Sequence, residues 1–336
     1  MDMKIDSTDQ SYDAILLAGE GESSYKIYRQ HKAFLPIQNK AIISYVAESL
    51  QNVASIRTIY IVGLQDKIRS TLTADGIDLN HPKKIQILDQ KRNLFENIWS
   101  AFLATLPSGG AEEELERPEI INKAVLIVPC DAPLIRPHEV EYFIGQCDTE
   151  HYDHILGLTA ADTLKPFYPK KDKPGIKMAY LHLEKNSYRI NNLHLVKPLK
   201  IANRAYIQKM YQYRYQRNFK NFILFGISLF GKDKFQHYPY YIGLELCLLF
   251  SALQLDSLVR YFRTWNVKEG LEKCISTILK TRFTAIEVPY PGAALDIDNQ
   301  KDYEAMVHCF DEWREVLKNP IATVPYNPSG ELTTHT

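Results

Sequence analysis

Residues 14–37 read AILLAGEGESSYKIYRQHKAFLPI and decide the fold. The run Ala14–Ala18 is apolar without alternation, which indicates a β-strand buried on both faces. Gly19 and Gly21 follow this run, and their missing side chains would let backbone N–H groups approach the phosphates of a nucleotide. The stretch therefore predicts a buried strand that ends in a phosphate-binding loop.

Apolar runs of the same kind recur along the chain. They lie at 59–62, 85–88, 124–128, 155–158 and 283–288. Segments with apolar residues at helical spacing lie between some of them, at 42–53 and 95–103. This alternation predicts an α/β fold with a Rossmann-like, mostly parallel sheet and helices on both faces.

The glycine loop differs from two common nucleotide-binding loops. The chain has no G-x-x-x-x-G-K-[ST] motif, and Ser24 stands at the third glycine position of a dinucleotide-binding fingerprint. Lys32 lies in HKAFLPI, ahead of an apolar segment, where it can supply a point charge to a phosphate. A buried strand, a glycine loop and K-A-x-L-P-I form a more specific signal than the glycines alone.

Carboxylates follow two further stretches, VLIVPCDAPLI at 125–135 and ALDIDNQKDYEAM at 294–306. Asp131 comes at the end of a buried strand, where open α/β sheets bind their ligands and where a carboxylate can hold Mg²⁺. Asp296 and Asp298 are two residues apart, so in extended backbone both point to one side. Either could complete a metal site, although turn formation and helix N-terminal charge are the alternative explanations.

Together the three stretches resemble the MobA-like NTP transferases, the nucleotidyltransferase family that includes the molybdenum-cofactor guanylyl- and cytidylyltransferases. The resemblance implies a fold of the nucleotide-diphospho-sugar transferase (glycosyltransferase-A) type. It implies transfer of an NMP group from an NTP to a phosphorylated small-molecule acceptor, with release of pyrophosphate and dependence on Mg²⁺ or Mn²⁺. In this family the second metal ligand directly precedes a T-P-E-D-L-like turn, which favours Asp298 over Asp296.

The resemblance also assigns site residues. Lys32 and Asp131 are the catalytic candidates, and Asp131, Asp298 and Asp296 are the metal-binding candidates. The nucleotide-binding candidates are Leu17, Ala18, Gly19, Gly21, Lys26, Arg29 and Asn97. The acceptor-binding candidates are Arg189, Asn192 and Lys197. Many relatives carry an arginine shortly after the glycines, where this chain has Glu22, Ser23 and Ser24, and Lys26 or Arg29 could replace that charge.

Changes in composition along the chain predict its organisation. A flexible N-terminus is expected over 1–12, a nucleotidyltransferase core over 13–199 and 284–317, a helical subdomain inserted over 200–283, and a flexible tail over 318–336. The basic and aromatic run at 211–217 is interpreted as helix packing rather than a nucleic-acid surface.

The chain of 336 residues carries 40 basic and 40 acidic side chains, so its net charge favours neither nucleic acid nor an anionic membrane as a partner. The apolar stretch 240–262 contains Glu245, Gln254 and Asp256, which favours a buried helix over a membrane span. An exposed part of that helix could form a homo-oligomer interface. Five widely spaced cysteines and a polar N-terminus suggest a cytoplasmic protein.

Two other functions are compatible with the same motifs. One is a glycosyltransferase of the same fold class, with Asp296-x-Asp298 as its D-x-D metal motif and a nucleotide sugar as donor. The late position of this motif in the chain argues against that function. The other is a catalytically degenerate nucleotide-binding module, which the absent loop arginine and the large helical insertion suggest.

Overall fold

A computed structural model describes residues 11–20, 26–204, 207 and 238–318. The predicted flexible N-terminus over 1–10, Gly21, the run at 211–217 and the tail over 319–336 lie outside these residues. Tyr12, which we expected to end the flexible N-terminus, instead begins the first strand, and its N–H donates to the Ser55 carbonyl at 2.8 Å.

The described strands are β1 Tyr12–Ala18, β2 Lys26–Ile27, β3 Gln30–His31, β4 Pro36–Ile37, β5 Lys40–Ala41, β6 Ile56–Gly63, β7 Ile85–Asp89, β8 Val125–Pro129, β9 His154–Ala160, β10 Leu181–His182, β11 Ser187–Val196 and β12 Phe283–Glu287. The described helices are α1 Ile42–Gln51, α2 Gln65–Ala74, α3 Leu94–Ala104, α4 Glu112–Leu115, α5 Pro118–Ile121, α6 Pro137–Gln146, α7 Ala161–Leu164, α8 Tyr238–Ala252, α9 Asp256–Phe262, α10 Lys268–Leu279 and α11 Gln300–Val316.

Within the described ranges, one sheet of eight strands organises the fold. Its order is β12-β9-β11-β8-β1-β6-β7, and β10 pairs with β11. Strands β7, β6, β1 and β8 run parallel to one another, and β9 runs parallel to β12. Strand β11 runs antiparallel between β8 and β9. The predicted Rossmann-like, mostly parallel sheet is confirmed.

Helices cover both faces of this sheet, so β1 is buried on both. Leu16 packs on one face with Val46 of α1 and Phe143 of α6. Ile15 points to the other face, where Phe102 of α3 lies. Successive side chains of a strand point to opposite faces, so a continuous apolar run is what such a strand requires.

The predicted helical insertion contains α8, α9 and α10. Cys274 and Ile278 of α10 pack against the sheet in the same cluster as Phe102, so this helix is part of the core rather than apart from it. The stretch 240–262, predicted as one buried helix, is instead α8 and α9 with a break between them, and Leu253 at the break is 57% exposed.

None of the helices in the described part of the chain combines the length and the apolar character that a membrane span needs.

Candidate active site

Gly19 lies directly beyond β1, against the N-terminal turn of α3. A Cβ added to Gly19 would come within 2.7 Å of the Asn97 amide nitrogen, so a larger residue here would displace that side chain. Asn97 is buried, and its Oδ1 accepts the Lys91 N–H at 2.5 Å. The structure therefore brings two of the predicted nucleotide-binding residues together.

Two residues that the sequence did not single out hold this loop. The Nε2 of His31 lies 3.1 Å from the Gly19 carbonyl, and Nδ1 accepts the Ala33 N–H at 3.3 Å, which assigns the ring proton to Nε2. Burial lowers the pKa of His31 and favours this neutral form. Gln90 Oε1 accepts the Glu20 N–H at 2.6 Å. The sequence indicates neither bond partner, although His31 directly precedes Lys32, so these roles become visible only in the tertiary structure.

The hairpin of β2 and β3 carries the two candidates for the missing loop arginine. Lys26 pairs with Glu20 at 2.9 Å, so it reaches back toward the end of β1. Arg29 is exposed at the turn of the hairpin, with φ of +64°. The structure thus places Lys26 next to the glycine loop and Arg29 on the surface.

Lys32 joins two separate elements of the site. Its Nζ lies 2.5 Å from Asp131 Oδ2 and donates to the Ile297 carbonyl at 2.8 Å. Burial lowers the pKa of Lys32, but the nearby carboxylates of Asp131 and Asp298 raise it by more, so the ammonium stays charged. Asp131 itself lies just beyond β8, and its carbonyl accepts the Ile297 N–H at 2.9 Å.

Three aspartates converge beside Lys32. One carboxylate oxygen from each of Asp131, Asp296 and Asp298 lies within 4.8 Å of the others. Ile297, between the last two, is fully buried, as expected for extended backbone with both aspartates on one side. Asp131 is also buried, and its Oδ1 makes no hydrogen bond to any described residue.

Arg189 distinguishes the two late aspartates. Its Nη2 lies 2.6 Å from Asp296 Oδ1, in a pair that is almost entirely buried, and 3.6 Å from Asp298 Oδ2. Burial lowers the pKa of Arg189, but Asp296 raises it by more. Asp298 is half-exposed, and desolvation together with the charge of Asp296 raises its pKa to about 6. Asp296 is therefore neutralised within the protein, whereas Asp298 is open to a ligand.

The other two acceptor candidates lie at different places along β11. Asn192, at φ +62°, donates from Nδ2 to the Ala293 carbonyl at 3.2 Å, so it supports the loop that leads to Asp296. Lys197 follows the other end of β11, where its Nζ bonds the Thr149 carbonyl at 2.5 Å. Because β11 is antiparallel to β8, Lys197 lies at the opposite edge of the sheet from Asp131. The structure does not bring it to the other candidates.

Comparison with known proteins identifies the family. The sequence profile of the MobA-like NTP transferase domain matches residues 14–223. The chain belongs to the MobA-like NTP transferase family. A nucleotidyltransferase domain of this family therefore includes Gly19, Lys32 and Asp131.

Comparison with solved structures shows similarity of fold. A hypothetical transferase from Thermus thermophilus is 18% identical with a TM-score of 0.58, over 87% of this chain and 99% of that one. Lower similarities link this MobA-like NTP transferase to CMP:2-keto-3-deoxy-manno-octonic acid synthetase complexed with CTP (13% identity, TM-score 0.40, 92% and 99% covered). A further one is 4-diphosphocytidyl-2C-methyl-D-erythritol synthase from Anaerococcus prevotii (12% identity, TM-score 0.42, 90% and 96% covered). The last two TM-scores are too low to support an argument. No curated protein matches the chain in sequence.

The carboxylate cluster of this MobA-like NTP transferase fits a divalent cation. Hard cations such as Mg²⁺ take oxygen ligands, and three carboxylate oxygens are within reach of one point. The buried, unbonded Oδ1 of Asp131 is the kind of atom that needs such a partner, because an unsatisfied buried acceptor is costly. Lys32 and Arg189 leave one of the three negative charges unbalanced, so the cluster has a net charge that attracts a cation.

Proposed function

We propose that the protein transfers an NMP group from an NTP to a phosphorylated small-molecule acceptor, with release of pyrophosphate and with Mg²⁺ as the metal. The observation that carries this proposal is the convergence of Lys32 with Asp131 and Asp298 at the carboxyl end of β8. A parallel sheet binds its ligands at that edge, and the glycine loop after β1 lies at the same edge.

The nucleotide would bind along the loop after β1. The backbone of Leu17, Ala18 and Gly19 would line the phosphate side, because β1 ends there between its neighbours β6 and β8. Asn97 packs against Gly19 and would fix the width of this site. Lys26 is placed to add positive charge to the same loop.

Asp131 and Asp298 would hold Mg²⁺, with Asp296 retained by Arg189. Asp131 offers its unbonded Oδ1, and Asp298 is the more exposed of the two late aspartates. When bound, Mg²⁺ would screen the charge of the triphosphate and act as a Lewis acid on its oxygens. The raised pKa of Asp298 means that ligand binding would also shift this carboxyl toward its ionised form.

Lys32 would stabilise the charge that develops on the phosphate oxygens during in-line displacement. An ammonium has three N–H donors, and Asp131 and the Ile297 carbonyl accept two of them. The third N–H can therefore donate to a phosphate oxygen while both of these bonds are kept. The same two bonds fix Nζ in place, which is the preorganisation that electrostatic catalysis requires.

The acceptor would approach from the side of Arg189. Its guanidinium is charged and lies beside Asp296 at the edge of the metal cluster, so it would attract an acceptor phosphate. Asn192 would act on this side through the loop that it supports. Lys197 has no part in this proposal because of its position at the opposite edge.

The test is an assay of pyrophosphate release. Purified protein would be incubated with Mg²⁺, one of the four common NTPs and a pool of phosphorylated metabolites. We expect release that requires one NTP, an acceptor fraction and Asp131, so that Asp131→Asn abolishes it. Asp148→Asn, which changes an exposed carboxylate bonded to His151, is the matched control and should release pyrophosphate as the wild type does.

Absence of release under all these conditions would count against transferase activity. Thermal stabilisation by Mg²⁺-NTP would then separate two explanations, because a ligand that binds the folded state raises its melting temperature. Stabilisation without turnover would support the nucleotide-binding module. If Mg²⁺-NTP produced neither turnover nor stabilisation, nucleotide binding would be refuted as well.

A further inference from the structure

Glu139 is a fully buried carboxyl that the proposed chemistry does not use. It lies in the first turn of α6, and its Oε1 accepts the Ala293 N–H at 3.0 Å. Its Oε2 is buried and has no hydrogen-bond partner within the described part of the chain. Burying such a group costs free energy, so a residue of this type at this place needs a specific reason.

The bond from Glu139 joins the two segments that carry the aspartates. Helix α6 follows the segment that begins at Asp131, and Ala293 lies in the 3-10 turn Gly292–Ala294, shortly before Asp296. These segments touch directly. A Cβ on Gly292 would lie 2.4 Å from the Leu134 carbonyl oxygen and 2.6 Å from Glu139 Oε2, so only glycine allows this approach.

Both backbone polar groups of Ala293 are hydrogen-bonded to side chains. Glu139 accepts its N–H, and Asn192 of β11 donates to its carbonyl oxygen. Two elements from different parts of the chain, α6 and β11, are thereby bonded to one turn. Because only Leu295 separates this turn from Asp296, a shift of the turn would change the separation between Asp131 and the late aspartates.

We propose that Glu139 is a positioning residue of the cation site, which holds the turn Gly292–Ala294 so that Asp296 and Asp298 stay within reach of Asp131. This inference rests on the proposed function only for the assignment of the aspartates as metal ligands. It adds a residue that touches neither metal nor substrate and acts through the backbone of Ala293.

The charge state of Glu139 decides which substitution preserves its bond to Ala293. Burial raises the pKa of Glu139 to about 8, even though the backbone N–H of Ala293 lowers it, so the carboxyl is protonated at neutral pH. Glutamine has the same shape, is neutral and keeps an oxygen that accepts the Ala293 N–H. Leucine has a similar size and provides no acceptor.

The experiment measures Mn²⁺ affinity of the full chain by electron paramagnetic resonance, without nucleotide or turnover. Loss of an outer-shell partner typically costs ~10–100-fold in metal affinity, and we expect a loss of that size for Glu139→Leu. Glu139→Gln should stay within about tenfold of wild type, since it keeps the bond. Asn192→Gly, which suits the positive φ and removes the second bond to Ala293, should also weaken Mn²⁺ binding.

Glu114→Leu is the matched control for a general loss of stability. Glu114 is another buried glutamate that holds a loop, through the N–H groups of Ser108 and Gly110, ahead of the start of β8 and away from the aspartates. It should leave Mn²⁺ affinity unchanged. Circular dichroism would establish whether each variant is folded. If Glu139→Leu does not fold, the Mn²⁺ affinity of Asn192→Gly tests the positioning of the turn instead.

The outcomes separate this inference from the proposed function. Equal Mn²⁺ affinity of wild type, Glu139→Leu and Asn192→Gly would overturn the positioning role and leave the metal site intact. Equal weakening by Glu114→Leu would also overturn it, because the effect would then be general. A wild-type protein that binds no Mn²⁺ would overturn both the metal site and the inference.

Discussion

Lys32 is the residue on which the candidate site depends most. It lies in a 3-10 turn shortly after the glycine loop, yet its ammonium bonds residues that come 99 and 265 positions later in the chain. A charged donor held by two fixed acceptors loses little conformational freedom when a ligand arrives. The same residue therefore stabilises the apposition of Asp131 and Ile297 and is preorganised for a phosphate.

Replacement of Lys32 by alanine should lower turnover far more than it lowers nucleotide binding. Loss of one donor that stabilises developing charge costs ~2.7–4 kcal/mol, or roughly 10²–10³ in kcat. Lys123→Ala is the matched control, since Lys123 also pairs with a buried aspartate, Asp13, at the other end of β1. Steady-state pyrophosphate release would measure both variants. Turnover of Lys32→Ala within twofold of wild type would refute the assigned role.

Single residues of the site differ in how well the sequence predicts them. Asp131 could be predicted to lie at the ligand-binding edge because it follows a buried strand, and Asp298 could be proposed as its partner from the motif that it shares with the family. His31 and Glu139 could not, because each acts by bonding a backbone group that is remote in sequence, Gly19 and Ala293 respectively. A lone histidine or glutamate in a sequence gives no indication of such a partner.

At the scale of elements, the N-terminus of α11 orders the segment that carries Asp298. Asn299 caps this helix by accepting the N–H groups of Lys301 and Asp302. Asp302 in turn accepts the Asp298 N–H at 3.2 Å. The motif that resembles D-I-D-T-P-E-D-L is thus the start of a helix, and the proposed metal ligand Asp298 directly precedes its N-cap.

Removal of this cap should therefore affect stability and metal binding together. Asn299→Ala should lower the free energy of unfolding by ~0.5–2 kcal/mol, as for other N-cap residues. It should also weaken Mn²⁺ binding, because the Asn299 amide donates to the Asp302 carboxylate that accepts the Asp298 N–H, and the substitution removes this donor. Asn93→Ala removes the cap of α3 and should cost similar stability without changing Mn²⁺ affinity. Urea unfolding and Mn²⁺ titration of both variants would check this, and equal Mn²⁺ affinities would contradict the link.

The direction of strands marks the limit of sequence-based prediction of elements. The strands of the parallel part follow from continuous apolar runs, and the helices α1 and α3 follow from apolar residues at helical spacing. Strand β11 is antiparallel to both its neighbours, and its sequence carries no signal of that direction. Arg189 and Lys197, predicted to act on one acceptor, lie near the two ends of this one strand and so toward opposite edges of the sheet. The antiparallel pairing with β8 places Arg189, and not Lys197, at the edge where Asp131 lies.

For the whole molecule, buried ionisable groups set the pH dependence of stability. Desolvation raises the pKa of Glu139 to about 8 and that of Glu245 to about 7 from an ordinary value of 4.5. Between pH 4.5 and these raised values, the folded state binds more protons than the unfolded state, so the free energy of unfolding falls as pH rises. Burial lowers the pKa of His154 to about 3, which makes stability rise with pH up to about 6.5. Maximum stability is therefore expected at mildly acidic pH.

Glu139→Gln should remove the largest acidic contribution to this dependence. The variant carries no titrating carboxyl at the site, so its free energy of unfolding relative to wild type should grow by about 1 kcal/mol per pH unit between about pH 5 and about pH 8. Glu114→Gln is the control. A hydrogen bond from Ser108 lowers the pKa of Glu114, so its contribution is constant above the ordinary value and the difference should stay flat. Urea unfolding across this pH range measures both differences. A flat difference for Glu139→Gln would mean that the carboxyl is already ionised in the folded protein, so that the protonated state assigned to Glu139 would be wrong although its bond to Ala293 could remain.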